Sequence, residues 1–431
     1  MKNKYIKLLP IALSAALLFT GCAAGQVGAS AADTTASEEV ITQTVSNVSA
    51  LSSQSSAAST TTESDACTEA FSARDLSGEY DTAEAVAITL NGSSAASDSD
   101  SVQISGSTVT ITAAGTYILS GELDNGSVIV NVSEQDRVQL VLNGVGIHSD
   151  TFAALYVVQA DKVFVTLADG TTNSLSNGGS FVLLDENNVD AVVYAKDDIT
   201  FNGTGTLEIS SPAGHGIVGK DEVTITDGVY EIVAADSAIC AKDSIAIADG
   251  SFTLTTGGDG LHAENNDDDT LGSIYIADGT FTIQAVDDAV HATTLLQIDG
   301  GSLNITAAEG LEATYLQIND GEIDISASDD GVNAGRKSSA YTPTVEINGG
   351  TLTIVMGAGD TDAVDANGNI IINGGTVNIT SQSSFDCDGT AQYNGGTIII
   401  NGQTVNAIPN QMMRGGMGGH GGMNGSGRRG W

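Results

Sequence analysis

The sequence predicts an all-β protein, a parallel β-helix whose coils are about 20–29 residues long. Three observations predict it. First, from about residue 199 one unit repeats: compare "VTITDGVYEIVAADSAICAKDS" with "IYIADGTFTIQAVDDAVHATTL" and "LQINDGEIDISASDDGVNAGRK". Second, aligning the glycine before the second run of each unit gives Gly205, Gly228, Gly250, Gly279, Gly301, Gly321, Gly350, Gly375 and Gly396, at intervals of 20–29 residues. A strand-rich repeat of that length is the signature of a solenoid. Third, the apolar content of 41% contains only 5% aromatics, which suits thin, regular layers. A sandwich of hairpins would also use Asp-Gly and Asn-Gly turns, but nothing in a sandwich requires nine copies of one unit.

In chain order, residues 1–22 pair a basic start with an apolar run ending in Thr20-Gly21-Cys22. This is an export signal. It resembles a bacterial lipoprotein signal, in which Cys22 becomes the lipid anchor; "ASA" at 29–31 offers an ordinary secretory cleavage site instead. The expected location is the cell membrane, exposed at the surface, with secretion as the alternative. The apolar run falls short of the roughly 20 residues of a membrane-spanning helix. Residues 23–75 are Ser, Thr and Ala without apolar periodicity and read as a flexible linker. Residues 76–198 are less regular and read as first coils and a cap. Residues 199–408 form the regular helix with acidic turns, and the Gly/Met-rich 409–431 reads as a disordered tail.

Charge narrows the partners. The chain has 54 acidic and 14 basic residues, a net charge of −40, and only eight of the basic residues lie outside the signal and the tail. Such a body repels nucleic acid and attracts cations. The four cysteines, Cys22, Cys67, Cys240 and Cys387, leave an odd number after lipidation, against a disulfide framework.

Each unit also returns to an acidic turn. Stacking the units puts Asp259, Asp288, Glu309, Asp330 and Asp362 in one column. His262, His291, Glu312, Asn333, Asp365 and Asp386 fall in a second, with Asp287, Asp329, Asp360 and Asp388 beside them. Coils stack about 4.8 Å apart, and two like charges at that distance repel by roughly 3–4 kcal/mol at an effective dielectric near 20. Protonation or a bound cation relieves this. Calcium suits the donors, because Ca–O distances of about 2.3–2.6 Å let one ion bridge two coils through oxygen ligands. The expected metal set is therefore Asp259, Asp287, Asp288, Glu309, Glu312, Asp329, Asp330, Asp360, Asp362, Asp365, Asp386 and Asp388. The alternative is a solvated acidic face. His262 and His291 occupy equivalent positions of adjacent coils, as a stacked pair or a transition-metal site.

The lipoprotein signal, the Ser/Thr spacer, "ITAAGTYILSGELDNGSVIVNV" and the "INGGTLTI…DAVDANG" units together resemble the clostridial-type surface carbohydrate-binding β-helix proteins, over about 80–408. The resemblance implies a right-handed, pectate-lyase-like parallel β-helix with bound calcium, binding cellulose and acidic polysaccharides such as polygalacturonate without demonstrated catalysis. The matching positions include Asp362, Asp365, Asn367 and Gly368. Two other functions compete: a calcium-dependent polysaccharide lyase, whose base would be Arg336 or Lys337, and a calcium-stiffened structural rod or adhesin.

Overall fold

The computed structural model describes residues 70–182, 187–358 and 361–409. The signal with Cys22, nearly all of the linker, Asp360 and all but the first residue of the tail lie outside them. Among the described residues the secondary structure is strands without a helix, arranged as a 25-stranded and a 13-stranded sheet. Each regular coil sends two strands to the larger sheet and one to the smaller. Ser244–Ile247, Ser251–Thr256 and Leu261–Ala263 form one such coil. Each strand pairs in parallel with its counterpart one coil on, which is the predicted parallel β-helix.

The repeat explains the packing. Along the second strand of a coil, exposed and buried residues alternate strictly, as in Val229–Ala234 and Ser251–Thr256, the period-2 pattern of a strand with one face to the core. Constant register through the regular coils stacks like on like. Ile225, Ile247, Ile276, Ile298, Ile318, Ile347 and Ile372 form one inward ladder. Tyr230, Phe252 and Phe281 form another, with ring centroids 5.0 and 4.5 Å apart and planes nearly parallel. At the turn between the first two strands, Asn348, Asn373 and Asn394 each donate Nδ2–H to the Oδ1 of the Asn one coil earlier, at 2.7–2.8 Å.

Glycine is required at this turn by geometry. Gly350 has φ of +70°, and a Cβ there would lie 2.6 Å from the carbonyl oxygen of Gly321, so any side chain meets backbone. The aligned glycines from Gly228 to Gly396 share positive φ, whereas Gly205 does not; Gly203 takes that role in its coil.

The ladder starts at Val86–Gly92, which pairs in parallel with Gly115–Leu123, inside the stretch read as first coils, and it continues through 198/199 without a break. The linker expected to reach residue 75 ends earlier: Phe71 packs on Tyr275, and Asp75 is buried, its carboxylate 2.7 Å from Lys162 Nζ and accepting from Thr200 Oγ1 at 2.7 Å. This strap was invisible to periodicity because it crosses the coils rather than joining them. Antiparallel pairs close the ends, Val102–Ser105 with Thr108–Ile111 and Thr397–Ile400 with Gln403–Val405, covering edges that would otherwise template another chain.

Candidate functional site

The third strand of each coil, in the smaller sheet, carries the acidic turn at its start. Residues of this strand that face away from the core form a column in continuous register: Tyr156, Tyr194, Val218, Cys240, His262, His291, Glu312, Asn333, Asp365 and Asp386. The column changes character along the axis. Its first four members are apolar, aromatic or thiol and belong to a small second core cluster with Phe152 and Val189. Then come two histidines, then acids. Asp288 and Glu309 stack as expected in the neighbouring column, while Asp362 faces Ser383.

The histidines and one lysine give several of the acids basic partners. His262 Nδ1 lies 2.6 Å from Asp259, and His291 Nδ1 lies 2.7 Å from Asp288 and 2.9 Å from Glu312. Each Asp sits three residues before its His, so "GDGLH" and "DDAVH" encode the pairs locally. The two rings stack 4.7 Å apart. Lys337 reaches in from the 335–344 insertion to place Nζ 2.8 Å from Glu312 Oε1, and Asn333 Nδ2 donates to Glu309 at 3.0 Å and Glu312 at 3.2 Å.

The protonation states follow. Burial opposes the His291 imidazolium, but its hydrogen bonds to Asp288 and Glu312 outweigh burial and raise its pKa to about 10. Burial likewise opposes the Glu312 carboxylate, yet His291 and Lys337 hold it well below the usual range. Asp288 is pushed up by burial despite the same histidine, and Glu309 is pushed up by burial and by the Glu312 and Asp288 charges. The arrangement is one ionised glutamate clasped by two cations, flanked by acids that resist ionising. Asp288, His291 and Glu312 come close enough for one ion to touch all three, as do Asp259, Asp287 and Asp288, but protein cations already neutralise most of these acids.

Beyond Asn333 the column is bare. Among the described residues no Lys, Arg or His forms an ion pair with Asp330, Asp362, Asp365, Asp386 or Asp388. Burial, then the charges of Asp330, Asp362 and Asp386, raise Asp365 to about 7. Burial also raises Asp330, to about 6, with Asp329 and Asp362 contributing, and raises Asp386, with Asp362 contributing. Asp386 Oδ1 is shielded from solvent with no hydrogen-bond partner. Asp329 is exposed beside this group. The oxygen-only donor set and the orphaned oxygen fit a hard cation such as calcium.

The candidate lyase bases have other engagements. Lys337 is the ammonium on Glu312, and Arg336 Nη2 donates to the Asn367 carbonyl at 3.2 Å. Sequence reasoning missed the buried His215, whose Nδ1 lies 3.4 Å from Cys240 Sγ; burial lowers its pKa to about 3 and keeps it neutral.

A relative in Acetivibrio thermocellus, described as a carbohydrate-binding domain-containing protein, is 33% identical over 137 residues, covering 31% of this chain and 48% of the relative. The chain spans about half the length of that curated relative. A solved structure described as the polysaccharide lyase-like protein from C. thermocellum, a gadolinium derivative, is 22% identical with a TM-score of 0.46, over 70% of this chain and 98% of that one. The family model for carbohydrate-binding domain-containing proteins matches residues 105–363 and 312–407, most of the described coils, and the chain belongs to that family.

Proposed function

We propose that the protein is a non-catalytic binder of plant-type or acidic polysaccharide, held at the cell surface by a lipid on Cys22, with calcium on the bare end of its acidic column. The single observation that carries this is a group of acids without a cationic partner on three successive coils: Asp365 and Asp386 in register in one column, and Asp330 beside Asp362, whose N–H it accepts, in the next. Asp362, Asp365 and Asp386, with Asn and backbone carbonyl oxygens beside them, would hold the ion. A cation held by these carboxylates would relieve their mutual repulsion and supply a positive charge for sugar hydroxyls or uronate carboxylates. Family membership supports carbohydrate as the ligand class. Lys337 Nζ is engaged by Glu312 Oε1 at 2.8 Å, which argues against its serving as a lyase base.

The test is affinity electrophoresis in polygalacturonate together with cellulose pull-down, each with calcium and with chelator. Retardation or pull-down that weakens on chelation is expected. If neither polymer is bound in calcium, the reading is wrong. Accumulation of unsaturated uronate absorbance on incubation with polygalacturonate would instead establish a lyase.

A further inference from the structure

We infer that the cleft between the 335–344 insertion and the turns at 367–369 and 388–389 is a subsite for one pyranose ring bearing a carboxylate, a uronate unit. This rests on the polysaccharide-binding reading and assigns it a place and a selectivity. The cleft has a volume of about 440 Å3, with Arg336, Tyr341, Asn367, Asn369 and Asp388 among its lining residues. That is within the roughly 300–1,000 Å3 of small-ligand sites.

Arg336 is the cation of the cleft. Arg74 donates to the Ser77 carbonyl rather than to a carboxylate, while Arg137, Lys162, Lys242 and Lys337 each form an ion pair with a carboxylate. Arg336 is exposed and forms none among the described residues, although Asp388 lines the same cleft. Its one bond to the Asn367 carbonyl orients the guanidinium, and the remaining N–H donors suit a carboxylate in two-point fashion. Tyr341 supplies an aromatic wall; its ring packs on Tyr315 with centroids 5.6 Å apart, which limits its swing. Asp388 and Asn369 supply acceptors for hydroxyls. A cation on one wall and a carboxylate on another orient a ring that has one acidic substituent and several hydroxyls, and disfavour a second carboxylate at the Asp388 end.

The insertion is set before a ligand arrives. Thr314 Oγ1 accepts from the backbone N–H of Lys337 at 3.2 Å and of Ser338 at 2.9 Å. Lys337 is pinned to Glu312, and the Ser339 N–H donates to Asp269 Oδ2 at 2.9 Å, in a second insertion over 263–273. A preformed wall spares the ligand the entropy of ordering it.

The test titrates the full chain, in calcium, with trigalacturonate and with its methyl ester, alongside electrophoresis in polygalacturonate. Arg336→Gln is expected to weaken trigalacturonate binding at least tenfold while leaving the methyl ester within about twofold; Tyr341→Ala is expected to weaken both. Melting temperatures check that each variant folds. If the wild type binds trigalacturonate or the polymer and Arg336→Gln binds it equally well, the subsite is wrong while the polysaccharide reading stands. If the wild type binds neither polygalacturonate nor cellulose, both fall.

Discussion

Replacing His291 by Gln tests the buried ion network. The imidazolium is almost fully buried and touches Asp288 at 2.7 Å and Glu312 at 2.9 Å. Glutamine keeps the bulk and one donor but not the charge. Breaking a buried ion pair typically costs about 3–5 kcal/mol. The proton linkage gives a similar figure: the imidazole rises from 6.5 to about 10 on folding, a bound of about 5 kcal/mol at 1.36 kcal/mol per pH unit. For a raised histidine this stability is fully present below pH 6.5 and is lost as pH climbs through 10. Wild-type stability should therefore fall by up to about 1.4 kcal/mol per pH unit from this group between pH 8 and 10, and H291Q should flatten that limb. Guanidinium denaturation in chelator, at pH 6, 8 and 10, reads both quantities. An H291Q penalty below about 1 kcal/mol at pH 6, or an unchanged alkaline slope, would refute an imidazolium held between two acids.

Three further outcomes follow from the coils. Asp365→Asn should raise the melting temperature in chelator, by removing a charge that its neighbours oppose, yet reduce the calcium-induced rise, which reaches about 2.7 kcal/mol at one hundred times Kd in the wild type. Its carboxyl is raised from 3.8 to about 7, so chelated wild-type protein should lose stability as pH rises from 4 to 7, less steeply in the variant. Phe252→Ala should cost about 4 kcal/mol by denaturant titration, since the ring is buried between Tyr230 and Phe281 and the hole is lined on both sides. Asp75→Asn should cost about 3 kcal/mol at pH 7. Burial opposes the Asp75 carboxylate, but Lys162, Ser72 and Thr200 hold its pKa near 2; this stability is present above pH 3.8, and the difference from wild type should shrink as pH falls toward 2.

The coil was legible because its physics is periodic. A side chain that must turn inward in one coil must do so in the next, so Ile225, Ile247 and Ile276 announce each other, and Asp288 announces Glu309. The same logic aligned His262 with His291. Their charge state was not legible, because it depends on burial and on Lys337, which arrives from an insertion whose path no repeat dictates. The strap through Asp75 was hidden for a related reason: its partners, Lys162, Thr200 and Asn202, are far away in sequence and belong to two strands of the coils that the strap crosses. Tyr341 and Arg336 likewise become part of a cleft only once the insertion is folded back over the coils.

The contact between the two insertions has a mechanical side. Ser338 donates to the Asp269 carbonyl and Ser339 to its carboxylate, across about seventy residues of chain. A solenoid pulled along its axis loads each coil boundary in turn and peels from the end. This clasp bridges the coils between the insertions in parallel with their backbone bonds, so they share tension and yield together. Peeling from either terminus would reach a stop there, beside the cleft and the ion network.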